Sequence, residues 1–419
     1  MSRILPRTSD YFSRSDYLQV FWLRRWESQA MLDSVGEETI TPIGGLSQTM
    51  LRVPVLSPDG KPLMPTQPSR ARRWIRDGLA VGKWSDLGMF YVQRVEQTSG
   101  EETQPIAVGV DPGKLYSGIG VQSAKATLFM AHLILPFQTV KDRMEQRRMM
   151  RRNRRGRRIN RQLEYSKRAH RQQRFDNRRR NKLPPSVRAN RQFELRVVTE
   201  LCRLFPVSKI VYESVKARGS KSFSPVMVGQ KVMLGWLSKL APIETQLGYQ
   251  TASLRTQLGL VKSQDKSSKT PESHAVDGVT LACSEFIKYK PFQTAKTHGH
   301  TWKGSVQLTH AAFVVIRRPP ISRRQLHLMV PSKGGVRRKY GGTMTRHGVR
   351  KGDLVRASMD RRVVMGWVSG DTARQVSVSN CDWKRLGQFT ASKVQLIHRA
   401  TGLLVSRLHY LLVNGPSIA

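Results

Sequence analysis

Acid is what this sequence lacks most: its 419 residues hold 29 Asp and Glu against 72 Lys and Arg, a formal net charge of +43. A compact particle with that much like charge repels itself, so the composition requires a polyanionic partner, and nucleic acid is the candidate. Cysteine is scarce too. Cys202, Cys283 and Cys381 lie far apart and form no CxxC pair, which excludes a disulfide framework or a zinc ribbon and fits a reducing compartment. No apolar run approaches the roughly 18 residues that span a bilayer. The stretch from Tyr17 to Arg25 carries charge where a secretory signal has an apolar core. The expectation is a soluble cytoplasmic protein with no membrane contact.

The basic surplus is concentrated. Between Arg143 and Lys182, 16 Arg and 2 Lys stand against Glu145, Glu164 and Asp176, a local net charge of +15. Proline is absent there and only Gly156 interrupts, so the tract predicts one helix about 60 Å long at 1.5 Å per residue. A solvated basic tract is the alternative, since blocks of like charge are often disordered. The preference for Arg over Lys favours bidentate phosphate contacts, and Arg147, Arg148, Arg151, Arg152, Arg154, Arg155, Arg157, Arg158 and Arg161 are the expected RNA contacts.

Residues 1–49 show little periodicity and are expected to be an extension outside the fold. A ββα module over 50–104 follows, with a strand at 51–56, a turn at Ser57-Pro58-Asp59-Gly60 and a helix starting near Thr66 or Ser69. Strands are predicted at 106–110, 115–123, 127–135 and 208–213, and helices at 187–205, 227–241 and 272–288. That order is a mixed α/β sheet of the ribonuclease H type. Beyond residue 300, short strands at 306–316, 325–330, 353–356, 363–368 and 376–379 predict a small β-rich, barrel-like domain. His298, His300 and His310 are spaced poorly for a metal and read as surface or packing residues.

Against so few acids, three carboxylates stand out. Asp111 ends the first strand of the sheet, Glu213 ends the fourth, and Asp277 lies three residues after His274, on the same face of a helix. Hard oxygen ligands suit Mg²⁺ bound together with substrate phosphate. Two such ions, with Mn²⁺ able to substitute, would clamp an in-line displacement, and His274 could take the proton from the attacking water. The expected metal ligands are Asp111, Glu213 and Asp277, and the expected catalytic set adds His274.

Val108-Gly109-Val110-Asp111-Pro112-Gly113, Ile210-Val211-Tyr212-Glu213-Ser214-Val215 and Glu272-Ser273-His274-Ala275-Val276-Asp277 resemble the three split RuvC motifs of the transposon-encoded IscB and IsrB proteins, relatives of the large RNA-guided CRISPR nucleases. The Arg-rich tract resembles their bridge helix, and Gly60-Lys61-Pro62-Leu63-Met64-Pro65 resembles the element that names their PLMP domain. The segments around Arg323, Arg324 and His327, and around Arg337, Arg338, Lys339 and Tyr340, resemble their region that recognises the target-adjacent motif. Residues 214–273 contain no His, Asn or Cys, so the HNH site that distinguishes IscB cannot lie there, and the chain is closer to IsrB. Gly278 stands where the family pattern has Ala.

The resemblance implies an α/β, ribonuclease H-like (RuvC) core split by an Arg-rich bridge helix, with a small N-terminal PLMP domain and a β-rich C-terminal domain. The corresponding spans are 50–104 (PLMP), 105–140 (first RuvC part), 141–183 (bridge), 184–305 (second and third RuvC parts) and 306–419 (C-terminal domain). It implies a Mg²⁺-dependent endodeoxyribonuclease, a monomeric protein in a ribonucleoprotein, that binds an ωRNA guide. The guide pairs with one strand of a double-stranded DNA target beside an adjacent motif, and the displaced strand is nicked. Arg323, Arg324, Arg337, Arg338 and Lys339 would contact DNA, more through phosphate than through bases. A guide-independent, structure-specific RuvC-type nuclease and a catalytically inactive RNA-guided binder are the competing readings.

Overall fold

The structure, a computed structural model, describes residues 51–410 apart from 98–99, 101, 159, 168–182, 217–223, 295–296, 322–325, 330–336, 341–342 and 360–361. The expectation for residues 1–49 lies outside it. The first unit begins with β1 (Val53–Leu56) and β2 (Pro62–Thr66), joined by a turn with Gly60 at φ +81°. Helix α1 (Pro68–Arg76) follows, then β3 (Ala80–Trp84) and β4 (Phe90–Arg94). The expected ββα module is thus a four-stranded sheet in the order β2-β1-β4-β3 with α1 upon it. Trp74 and Ile75 pack against Val53, Val55 and Val92.

The central sheet starts with a meander: β5 (Ile106–Asp111), β6 (Tyr116–Ser123) and β7 (Ala126–Ile134). Helix α2 (Phe137–Arg158) carries the arginines and α3 (Pro185–Leu204) returns to the sheet, followed by β8 (Lys209–Ser214), α4 (Pro225–Leu237), β9 (Ile243–Leu247), α5 (Gly248–Gln257) and α6 (Ala275–Cys283). A hairpin, β10 (Ile287–Gln293) and β11 (His298–Gly304), precedes β12 (Ala311–Arg317). Strands β5, β8 and β9 are parallel, and β6 runs antiparallel to β5 and β7. The order β7-β6-β5-β8-β9 with these directions is a ribonuclease H-like core. One face is covered by α3 and α4 through Phe193, Leu201, Met233 and Leu237, and the other by α6 through Val276 and Val279.

Three expectations are corrected. The Arg-rich helix spans 22 residues, about 33 Å at 1.5 Å per residue, and does not continue through 160–167, while the part expected over 168–182 lies outside the described residues. Few apolar residues anchor it, and beyond it the Asn160 side chain accepts from the Gln162 amide at 3.0 Å, an Asx turn that redirects the chain. The C-terminal boundary also moves. The strand expected to open the β-rich domain is β12, which pairs parallel with β7 inside the central sheet. Its continuous Ala-Ala-Phe-Val-Val-Ile run suits a strand covered on both faces.

After the short hairpin β13 (Leu326–Met329) and β14 (Arg337–Tyr340), the β-rich unit consists of β15 (Leu354–Met359), β16 (Arg362–Asp371), β17 (Gln375–Ser379), β18 (Arg385–Thr390) and β19 (Val394–His398). These form an antiparallel sheet in the order β18-β17-β16-β15-β19, with Val355, Val368, Val376 and Phe389 in a core of its own. The chain then returns as β20 (Leu404–Tyr410), antiparallel to β12 at the edge of the central sheet. The β-rich unit is therefore an excursion between two strands of that sheet. The expected helix over 272–288 is only α6, because Pro291 and the aromatic residues around it continue as β10. No helix among the described residues is long and apolar enough to cross a membrane.

Glycines set a very close contact between helix and sheet. A Cβ on Gly109 would lie 2.0 Å from the Gly278 carbonyl oxygen, on Gly118 1.8 Å from that of His274, and on Gly120 2.4 Å from the Val279 nitrogen. Helix α6 therefore rests directly on the backbone of β5 and β6, and all nine of its residues are buried. Gly120→Ala should destabilise the protein by about 1–3 kcal/mol, the usual cost of overpacking, read as a lower urea midpoint. An unchanged midpoint would mean that helix and sheet do not meet this closely.

Candidate active site

Parallel pairing brings two of the predicted carboxylates to one edge. Val110 pairs with Tyr212 across β5 and β8, so the next residues, Asp111 and Glu213, leave the sheet side by side at its carboxyl end. The chain turns at Pro112-Gly113, where a Cβ on Gly113 would meet the Tyr116 carbonyl at 1.7 Å. The Ser117 hydroxyl donates to the Asp111 carbonyl at 2.6 Å.

Helix α6 supplies the other two residues. His274, at its N-cap, is buried, with Nδ1 3.5 Å from Asp111 Oδ2 and Nε2 3.2 Å from the Lys266 carbonyl. Asp277 is buried in the first helical turn, where the helix dipole favours an anion. Its carboxylate receives Arg255 Nη1 at 2.5 Å and the Lys262 ammonium. Burial pushes the Glu213 carboxyl up to about 7, aided by the charges of Asp111 and Asp277 and opposed by the Thr251 hydroxyl and Lys262. The structure thus gathers Asp111, Glu213, His274 and Asp277, the four residues expected from sequence.

Among the described residues no three His, Cys, Asp or Glu side chains are arranged to hold one metal ion. The donor types nevertheless suit a hard divalent cation: three carboxylates are drawn toward one sheet edge, with burial the leading reason that the Glu213 carboxyl is pushed up. Arg255 and Lys262 supply positive charge to Asp277, and neither residue was singled out from the sequence.

Two further groups were missed. Arg191 and Glu194 on α3 are fully buried beneath the site. Arg191 donates to the Gly113 carbonyl at 2.7 Å and to the Tyr212 hydroxyl at 3.0 Å, and its Nη1 lies 3.0 Å from Glu194 Oε2. Burial outweighs the arginine and pushes the Glu194 carboxyl up to about 7. Their i, i+3 spacing on the apolar face of a helix was the available signal. His132, alone in the apolar run of β7, accepts from or donates to the Ser273 hydroxyl at 2.9 Å, and its ring lies 5.3 Å from that of His274.

Of the expected RNA contacts, Arg147, Arg148, Arg151 and Arg152 are exposed along α2, and Arg161 is exposed beyond it. The side chains of Arg154, Arg155, Arg157 and Arg158 lie outside the described residues, as do Arg323 and Arg324. Arg337, Arg338 and Lys339 form part of β14, paired with β13, and their side chains are likewise outside. His300 lies on β11 and hydrogen-bonds Ser253 at 2.6 Å.

Residues 53–230 match the model of a family described as RRXRR protein, and Arg151-Arg152-Asn153-Arg154-Arg155 reads as that pattern. No curated protein matches the chain. Two solved structures of Thermus thermophilus RuvC are similar in part. The one in complex with a Holliday junction substrate is 13% identical over 43% of this chain and 90% of its own, with a TM-score of 0.25. The other is 12% identical over 42% and 90%, with a TM-score of 0.24.

Burial, and then the neighbouring His274, holds the His132 imidazole down to about 4. The unfolded chain takes up its proton near the ordinary value of about 6.5, so this residue's contribution to stability is full above that pH and is lost as pH falls toward 4. A His132→Phe protein should lose less unfolding midpoint than the wild type between pH 6.5 and 4. Parallel pH profiles for the two would show that His132 is not held neutral.

Proposed function

We propose that this protein, whose match over residues 53–230 is to a family found in IscB- and IsrB-like proteins, is an RNA-guided DNA nickase of the IsrB type. The match supports the broader reading of an IscB-like RuvC nuclease. The observation that carries the proposal is the convergence of Asp111, Glu213, His274 and Asp277, from three distant segments, at the carboxyl edge of a ribonuclease H-like sheet.

In this reading Asp111, Glu213 and Asp277 would hold Mg²⁺, which would supply Lewis-acid polarisation of the phosphodiester and a more acidic water. The Asp111 carboxylate faces the imidazole of His274 at 3.5 Å and orients it, so that His274 takes the proton of the attacking water. Arg191 fixes the turn after Asp111 through the Gly113 carbonyl. Arg255 and Lys262 balance Asp277 and lie where a phosphate would need countercharge.

A single cut is favoured by what fills the interval between Glu213 and His274. Helix α4, strand β9 and helix α5 occupy it, and all three pack on the central core. The interval is therefore spent on the ribonuclease H-like domain and lacks the His and Asn an HNH site needs. Guidance by RNA is supported by the exposed arginines of α2 and the net charge of +43. Backbone contacts from such a helix suit an RNA–DNA heteroduplex whose sequence is read by base pairing.

Purified protein should carry a structured RNA of defined sequence and, with Mg²⁺, nick the non-target strand of a matching duplex. Heterogeneous RNA together with guide-independent cutting would favour a structure-specific nuclease instead. Asp111→Ala should abolish nicking while leaving target binding within a few-fold of wild type; surviving cleavage would show the metal site to be elsewhere. Replacing Arg147, Arg148, Arg151 and Arg152 with Ala should flatten the salt dependence of RNA binding by about 0.7–0.9 in log–log slope per lost phosphate contact. An unaltered slope would mean that these arginines do not meet phosphate.

A further inference from the structure

The rim of the site continues into an aromatic cluster that the proposed chemistry does not use. Helix α5 begins at Gly248, where a Cβ would stand 3.2 Å from Glu213 Oε1. One face of this helix serves the carboxylates, with Thr251 acting on Glu213 and Arg255 on Asp277. Tyr249 and Ser253, one turn apart, turn instead to the hairpin β10–β11. The Ser253 hydroxyl receives Trp302 Nε1 at 3.1 Å and hydrogen-bonds His300 Nε2 at 2.6 Å. Tyr289 stacks on His300 at 4.9 Å and meets Trp302 edge-on at 5.2 Å and Tyr249 edge-on at 6.4 Å.

Fastening the hairpin to α5 accounts for Tyr289 and Trp302, which are half-buried. Phe292 lies over Gly299 on the opposite face and covers it. Tyr249 joins that fastening only at the edge of Tyr289 and remains 59% exposed, one residue from the glycine that abuts Glu213. His300 is also exposed. The surroundings are basic: Lys290 and Lys303 are exposed on β10 and β11, Lys288 is engaged by Glu285 and Glu244, and neither strand nor α5 contains an acid. Exposed aromatic faces flanked by lysines suit unpaired bases, which stack on rings while phosphates meet cations. A duplex keeps its base faces covered and offers only its edges and backbone.

We infer that Tyr249 and the exposed face of the β10–β11 hairpin form a stacking platform for unpaired bases of the DNA strand presented to the carboxylate site. The inference rests on the nuclease reading above. It assigns α5 two roles, countercharge for the acids on one face and a grip on the neighbouring nucleotides on the other. Tyr249 would hold the base beside the phosphodiester that is cut and so limit how the strand slides past Glu213.

The test uses full-length protein with its copurified RNA and an Asp111→Ala background that leaves strands intact, and it reads the fluorescence of 2-aminopurine in a single-stranded DNA. Stacking quenches this base, so one position in the bound strand should be quenched. Tyr249→Ala should relieve the quench and weaken binding about five- to hundredfold, the range for loss of one stacked base, whereas Tyr249→Phe should behave as wild type. An equal thermal midpoint for the two variants separates stacking from damage to the hairpin. In the cleavage-competent protein Tyr249→Ala should raise the single-strand concentration giving half-maximal nicking. Quenching that survives Tyr249→Ala, or that appears with an RNA strand and not with DNA, would overturn the inference. Nicking by the wild type in that case would leave the nuclease reading standing, and stacking without any nicking would count against that reading alone.

Discussion

The whole site depends on how closely α6 lies against β5 and β6. Helices normally pack on sheets across a layer of side chains, but here Gly109, Gly118 and Gly120 face Gly278 and the backbone of His274 and Val279 with no side chain between. The layer is missing where it would otherwise hold the helix away, and His274 comes within 3.5 Å of Asp111 as a result. Gly278, the departure from the family pattern, belongs to this contact. A Cβ there would meet the Gly120 nitrogen at 2.7 Å, so an alanine would require helix and sheet to separate by a few tenths of an ångström. Glycine is a poor helix former, and the buried surroundings of α6 supply the packing that its propensity does not.

Electrostatics sharpens the same point. In a chain with a net charge of +43, acids on the surface would be neutralised by neighbours, yet Glu213 and Glu194 are both pushed up to about 7. Burial is the leading cause for each, and the long-range basic field does not cancel it. Local cations are set one by one: Arg255 and Lys262 on Asp277, Arg191 beside Glu194. Removing water from several carboxylates at once is unfavourable unless cations enter with them. The gathering of acids at the sheet edge is therefore a standing demand for positive charge there.

The core strands were legible because each is an apolar run with a sharp end: Ile106 to Val110 stops at Asp111, and Lys209 to Tyr212 stops at Glu213. A carboxylate closing a buried strand has few places to go, which is why Asp111 and Glu213 could be named from sequence, whereas His274 and Asp277 were named from their i, i+3 spacing on one helix face. The partners of those residues could not. Arg191, Arg255 and Lys262 are ordinary basic residues among 72, and only the fold distinguishes the buried or half-buried few from the solvated many. Strand β9 and the β10–β11 hairpin alternate with polar residues and carry no strong periodicity. The Arg-rich helix was overestimated because propensity alone was counted; without an apolar face nothing extends it past the turn at Asn160.

The placement of the β-rich unit was illegible for a different reason. Strands β12 and β20 are adjacent in space but separated by the whole excursion through β13 to β19, and local pattern carries no record of such pairing. Yet the contacts that seat the unit are specific. Asp382, in the turn between β17 and β18, pairs with Lys269 and, through its carbonyl, receives Arg317 Nη1 at 3.3 Å. Lys269 belongs to the segment that brings Lys262 to Asp277 and ends at His274. Arg196 adds a second tie, donating to the Thr401 carbonyl at 2.5 Å and to Asp86 at 3.0 Å. Inserting the unit between two strands of the central sheet fixes both of its ends, and the Asp382 contact fixes its middle. It is therefore tied to the segment that leads into His274.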